Sequence, residues 1–244
     1  VANNFFQFKQ FTVQQQFCAM KVSTDSCIFG AAVAEAFAET ELQADNTIAN
    51  YLDIGTGTGL LSLMLAQKTS AVIDAVEIDN TAYEQAGNNF SVSPFKEKLS
   101  IYNNDVLHFN PGKKYDGIIC NPPFFEGDLK TGNQQLNAAK HSTTFTLQQL
   151  IQIADAHLKD SGILVVLLPF HRVDDFITDA IGLNFYVQQK ILLRHTVQHP
   201  YFRGILFFSK TNTSSVTKEL IIKNEAGNYT DDFIHLLKDY YLYL

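Results

Sequence analysis

Cysteine is scarce in this chain. Only Cys18, Cys27 and Cys120 are present. An odd trio cannot make a disulfide framework, which points to a reducing, cytoplasmic setting. No apolar run approaches the ~18–20 residues that span a bilayer, so no membrane partner is expected. The opening Val-Ala-Asn-Asn-Phe-Phe-Gln-Phe-Lys lacks the charged-then-apolar order of a secretory signal. Positive charge is limited too. Lys and Arg total 18 against 25 Asp and Glu, a formal net charge of -7. That excludes a histone-like or polybasic protein. It does not exclude a nucleic-acid partner, because partners respond to local fields. The seven histidines show no ligand spacing and the cysteines are scattered, so no metal is expected. There is no internal repeat, no low-complexity stretch and no linker that would detach a second domain.

What is present suits one large domain. The 244 residues are 46% hydrophobic, enough for a full core. A strand-helix rhythm starts near residue 48. Strands are expected at 48–54, 71–78, 99–104, 114–120 and 162–168, with helices at 60–68, 81–90 and 147–158. That alternation means a parallel sheet covered on both faces. Two further strands, 185–193 and 204–209, follow with ten residues between them. This is too short for a helical crossover, so the pair should be antiparallel. A short strand at 219–223 and a last helix from Asp231, capped by Thr230, close the chain. One helix, 28–40, precedes the alternation. Three segments are expected: 1–47 as an N-terminal cover, 48–210 as the core, and 211–244 packed on it. Cys120, Tyr240, Tyr241 and Tyr243 read as packing residues, and Asp116 as a strand-edge cap. Nothing demands more than a monomer.

Two constellations carry chemistry. The first is Asp53-Ile-Gly55-Thr-Gly57-Thr-Gly59-Leu, after the first core strand. Alternate glycines allow a tight turn into a helix and let a ligand lie on bare backbone. A dinucleotide fingerprint needs its third glycine where Leu60 stands, so that spacing fits poorly. Asp53 would repel a pyrophosphate but suits a cationic ligand, an ammonium or a sulfonium. S-adenosylmethionine carries both. Glu77 closes the second strand, where a carboxylate can take both ribose hydroxyls. Asp105 follows the third and can accept from an adenine amino group. Each acid alone could merely cap a turn; together, at adjacent strand ends, they point to a ligand.

The second constellation is Asn121-Pro122-Pro123-Phe124, ending the fourth strand. Two prolines fix φ and remove two backbone donors. Asn121 offers a side-chain carbonyl and Pro122 a rigid backbone one, both able to accept from one NH2 group. Phe124 offers a face for a planar base. A plain Asn-Pro turn has the same sequence; the neighbouring glycine loop favours the ligand reading. Acid-free stretches at 129–154 and 180–218 hold Lys130, Lys140, Arg194 and Arg203. With Tyr201 and Phe202, they suit an RNA-binding rim, though a solvated loop with incidental cations would read alike.

These ordered motifs resemble those of Rossmann-like, S-adenosylmethionine-dependent methyltransferases that act on planar amino groups. The resemblance implies an α/β fold: a seven-stranded, mostly parallel sheet with an antiparallel last strand and helices on both faces. The segment Cys18-Ala-Met20-Lys21-Val-Ser-Thr24-Asp25, with Asn-Glu-Ala-Gly-Asn-Tyr-Thr at 224–230, narrows it. It resembles the bacterial tRNA1(Val) (adenine(37)-N6)-methyltransferase family along nearly the whole chain. That likeness implies a tRNA substrate and adenine-N6 transfer, with Lys21, Thr24 and Asp25 over the cofactor near its methionine moiety. The family carries Tyr more often than Phe at the fourth motif position, so guanine-N2 chemistry on ribosomal RNA stays open. Glutamine-N5 methylation of a translation factor is a second rival, although those enzymes carry a larger helical segment than the 52 residues preceding Asp53. An idle cofactor-binding module that recognises RNA is the non-enzymatic one.

Overall fold

The computed structural model describes residues 3–18, 20–43, 48–122 and 146–244. The chain opens with an antiparallel hairpin, β1 (Phe5–Gln7) and β2 (Thr12–Gln14). A long helix, α1 (Thr24–Gln43), follows. The alternation then runs β3 (Asn50–Ile54), α2 (Leu60–Lys68), β4 (Val72–Glu77), α3 (Asn80–Ser91), β5 (Leu99–Asn103) and β6 (Tyr115–Cys120). Beyond residue 146 come α4 (Leu147–His157), β7 (Leu158–Pro169), α5 (Val173–Gly182), β8 (Tyr186–Arg194), β9 (Arg203–Ser209), β10 (Val216–Ile221) and α6 (Asp231–Leu237).

The main sheet has eight strands in the order β10-β8-β9-β7-β6-β3-β4-β5. Seven were expected; the eighth is β10, which pairs parallel to β8 at the sheet edge. The antiparallel strand is β9, inserted between β7 and β8. Its direction follows from the short loop after β8, which can only send the chain straight back. The order reverses between β3 and β6, so the crevice outside their carboxyl ends is the topological switch point where open α/β sheets hold ligands.

Alternation along each strand sends side chains to two cores. In β3, Tyr51 joins the face covered by α1 and α2, while Leu52 and Ile54 join the face covered by α4 and α5. The hairpin is anchored by aromatics: Phe8 and Phe11 stack at 4.6 Å, and Phe8 lies 6.1 Å from Tyr241. Tyr240 is buried as expected, whereas Tyr243 is 87% exposed, so it is not a core residue, which corrects that expectation. Cys120 is core, and Asp116 accepts from Asn50 N and pairs with Lys159. Thr230 caps α6 by accepting from Phe233 N. Among the described residues no helix is long and apolar enough to cross a membrane.

Gly59 sets the junction of β3's loop with α2. Its φ is +81°, and a Cβ there would lie 2.4 Å from the Phe90 ring of α3. Left-handed strain and overpacking act together in Gly59→Ala. The variant should lose about 2–4 kcal/mol of stability. An unchanged denaturation midpoint would show that the loop does not depend on this contact.

Candidate active site

Asp53 occupies the penultimate position of β3 and is fully buried. Its Oδ2 accepts from Thr56 Oγ1 at 2.6 Å and Ser62 Oγ at 2.7 Å. Its Oδ1 is closed off with no hydrogen-bond partner among the described residues. Burial pushes this carboxyl up to about 6; the Thr56 and Ser62 bonds pull it down, and the charge of Glu77 raises it further. A half-satisfied buried carboxylate of this kind is short of a positive neighbour.

The glycine loop sits beside it. Gly55, Gly57 and Gly59 all have positive φ, and a Cβ added at Gly55 or Gly57 would meet nothing within 4 Å. The loop therefore presents bare backbone to open space. Glu77, at the end of β4, is tied to this loop: its Oε2 accepts from Gly57 N and its Oε1 from Asp79 N, both at 2.9 Å. Asp79 in turn caps α3 through Ala82 N. Asp105 is half-buried beyond β5, and its Oδ1 accepts from Leu107 N at 3.0 Å, a turn-capping bond.

Across the switch point, Asn121 follows β6, whose Cys120 lies opposite Ile54 of β3. Asn121 Oδ1 is also buried without a partner among the described residues. Pro122 is buried beside it. The expected Pro123, Phe124, Lys130 and Lys140 lie outside the described residues. The fold thus brings Asp53, Gly55, Gly57, Glu77 and Asn121 to one rim, with two buried acceptor oxygens that have no partner among the described residues, at the ends of neighbouring strands.

The N-terminal segment reaches the same rim. Cys18 lies close enough to Glu77 and Asp79 to feel both carboxylates, and burial with those charges raises its thiol to about 11. Gln15 closes the segment on itself: its Oε1 accepts from Val22 N and its Nε2 donates to Asn3 O. Lys21 and Thr24 are exposed. Asp25 Oδ2 accepts from Arg203 Nε at 2.9 Å.

Sequence reading passed over one residue that organises this region, Asn89 of α3. It is 1% exposed; its Nδ2 donates to Gln14 O and Thr58 O, and its Oδ1 accepts from Gln14 N. It joins β2 to the glycine loop. A polar residue on the buried face of an amphipathic helix was the available signal.

Both arginines expected to meet RNA are already engaged within the protein. Arg194 donates from Nη2 to Glu219 Oε2 at 2.8 Å and from Nη1 to Val197 O at 2.7 Å. Its guanidinium carbon lies 5.4 Å from the Tyr201 ring centre. Arg203 holds Asp25 and also donates to Phe202 O. These bonds tie the two ends of the 195–202 loop to Glu219 and Asp25. Among the described residues no group of three or more His, Cys, Asp or Glu side chains could hold a metal ion.

A mostly parallel sheet with this glycine loop, buried acid and Asn-Pro corner at its switch point defines a class, the methyltransferases. The family model described as methyltransferase small domain matches residues 19–189. A similar fold occurs in a predicted O-methyltransferase from Agrobacterium tumefaciens, with a TM-score of 0.67 at 16% identity, covering 88% of this chain and 96% of that one. Two curated relatives are each named tRNA1(Val) (adenine(37)-N6)-methyltransferase. The one from Cytophaga hutchinsonii is 40% identical over 100% of both chains. The one from Flavobacterium psychrophilum is 39% identical over 97% of this chain and 99% of its own. The chain belongs to the tRNA1(Val) (adenine(37)-N6)-methyltransferase family, within the methyltransferase small domain class.

Proposed function

We propose that the protein transfers a methyl group from S-adenosylmethionine to the exocyclic N6 of adenine 37 in tRNA1(Val), as the names of its relatives state for them. The observation that carries this reading is the buried Oδ1 of Asn121, without a hydrogen-bond partner among the described residues, beside a glycine loop with open space above it. The cofactor fits the residues present. Asp53 supplies a buried negative charge for its cationic end, the backbone of Gly55 and Gly57 a surface without side chains, and Glu77 and Asp105 carboxylates for ribose and adenine. Lys21, Thr24 and Asp25 belong to the segment reaching this rim. When bound, the cofactor supplies an electrophilic methyl group on a sulfonium.

The chain's own part is positional and electrostatic. The N6 lone pair of adenine is delocalised into its ring, so the amine is a weak nucleophile. Asn121 Oδ1 accepts one N6–H and the Pro122 carbonyl the other. Accepting both hydrogens favours a pyramidal nitrogen and stabilises the positive charge that grows on it. Holding the amine in line with its donor supplies most of the remaining rate. No strong base is required, since the methylated nitrogen gives its proton readily to water. Phe124 would hold the splayed base by stacking.

The test is methylation of total tRNA, ribosomal RNA and release factor in parallel with labelled cofactor, followed by nucleoside mapping. The expected result is N6-methyladenosine in tRNA alone, at one position. Label in ribosomal RNA as N2-methylguanosine, or in the release factor, would replace this reading with the corresponding rival. Cofactor binding without transfer to any of them would leave a recognition module.

A further inference from the structure

We propose that Phe170, held rigid by Tyr201, is a stacking platform for an unpaired nucleotide next to the target base. This rests on the RNA-methylating reading above and says where the flanking RNA goes.

The strand order places the platform. Moving away from the glycine loop, the rim passes from Asn121 after β6 to the tip of β7, then to the start of β9. Phe170 directly follows Pro169, the last residue of β7, and Pro169 lies opposite Arg203. Cys120 pairs with Val166, so β7 runs on past β6, and Phe170 stands one strand across from the amine-holding corner and three residues, roughly 10 Å, further out along the strand direction. A base inserted at Asn121 brings its neighbouring nucleotides to this end of the sheet, where Phe170 stands.

The ring is exposed but its support is fixed. Phe170 is 38% exposed. Its N–H donates to Phe202 O at 3.1 Å, which pins the backbone to the rim loop. Its ring centre lies 5.2 Å from that of Tyr201. Tyr201 is held from its other side by Arg194, whose guanidinium carbon lies over the ring, 5.4 Å from its centre. Arg194 is itself locked on Glu219 and Val197 O. The guanidinium of Arg194 thus backs this aromatic pair. A preorganised flat surface loses little entropy when a base lands on it, and stacking tolerates any base.

The experiment uses the full-length protein, cofactor and a synthetic anticodon stem-loop with 2-aminopurine placed in turn on each side of the target adenine. Wild type should quench one of the two positions on binding. Phe170→Ala should abolish that quench and raise KM for the RNA about tenfold, the loss of one base–aromatic stack. Cofactor affinity should not change. Phe170→Tyr should restore both readouts. Phe170→Leu, which keeps apolar bulk without a flat face, should not. Equal KM and equal quenching in wild type and Phe170→Leu would overturn the platform while leaving the proposed reaction standing. Failure of the wild type to methylate the stem-loop or whole tRNA would overturn the reaction, and the platform with it.

Discussion

Asn121→Ala should lower methyl transfer by about 10²–10³-fold, the loss seen when one preorganised transition-state hydrogen-bonding group is removed, or roughly 3–4 kcal/mol. Cofactor affinity should stay within about twofold, because no cofactor-facing carboxylate or loop glycine is touched. Stability makes the prediction sharper. The Oδ1 of Asn121 is buried and makes no hydrogen bond among the described residues. Among the described residues, deleting this acceptor breaks no hydrogen bond of Oδ1 and relieves a desolvation cost, so the variant's melting temperature should not fall. Asn121→Asp retains acceptor oxygens and should keep more activity than the alanine variant. Single-turnover kinetics with calorimetric titration of S-adenosylhomocysteine would separate the two effects. Near-normal turnover in Asn121→Ala would remove Asn121 from the chemistry. A large drop in cofactor affinity would mean the corner belongs to the cofactor site instead.

Much of this arrangement was legible before any coordinates. The helix at 60–68 lies where apolar residues follow a glycine that cannot continue a strand, and the structure has it at Leu60–Lys68. The antiparallel pair followed from linker length alone. The acids at strand ends were readable because a parallel sheet puts every strand-to-helix turn on one rim. Other parts were hidden for physical reasons. Strands β1 and β2 are three residues each, joined by Phe8-Lys9-Gln10-Phe11 without Gly or Pro, so neither period nor turn chemistry marks them. Their stability comes from rings distant in sequence. Helix α5 did carry a signal, Val173, Phe176 and Ala180 at helical spacing with two acids in its first turn, and went unread. The roles of Arg194 and Arg203 could not be read locally. Their carboxylate partners are 25 and 178 residues away in sequence, and only the folded sheet brings them together.

Asp53 gives the second large effect, and it runs opposite to ordinary acid denaturation. Burial lifts its carboxyl from 3.8 to about 6, so the cofactor-free protein carries an unfavourable buried charge at pH 7. A shift of that size corresponds to about 3 kcal/mol. The folded value lies above the unfolded one. The stabilising contribution of this group is therefore full below pH 4 and is lost as pH rises through 6. A cation bound beside Oδ1 reverses the preference by favouring the ionised form. Cofactor affinity should accordingly fall as the medium is acidified, by about tenfold between pH 7 and pH 5. Asp53→Asn removes the charge while its Oδ1 can still accept from Thr56 and Ser62. It places an amide donor where the carboxylate oxygen without a partner among the described residues stood. The variant should bind S-adenosylmethionine about 100-fold more weakly at pH 7 and show no fall between pH 7 and pH 5. It should also melt no lower than wild type without cofactor. Retention of tight binding, or of the acid-side fall, would show that some other group carries the cation's countercharge. A variant that simply melts early would show that the ionised carboxylate is needed by the fold, which the unpartnered Oδ1 argues against.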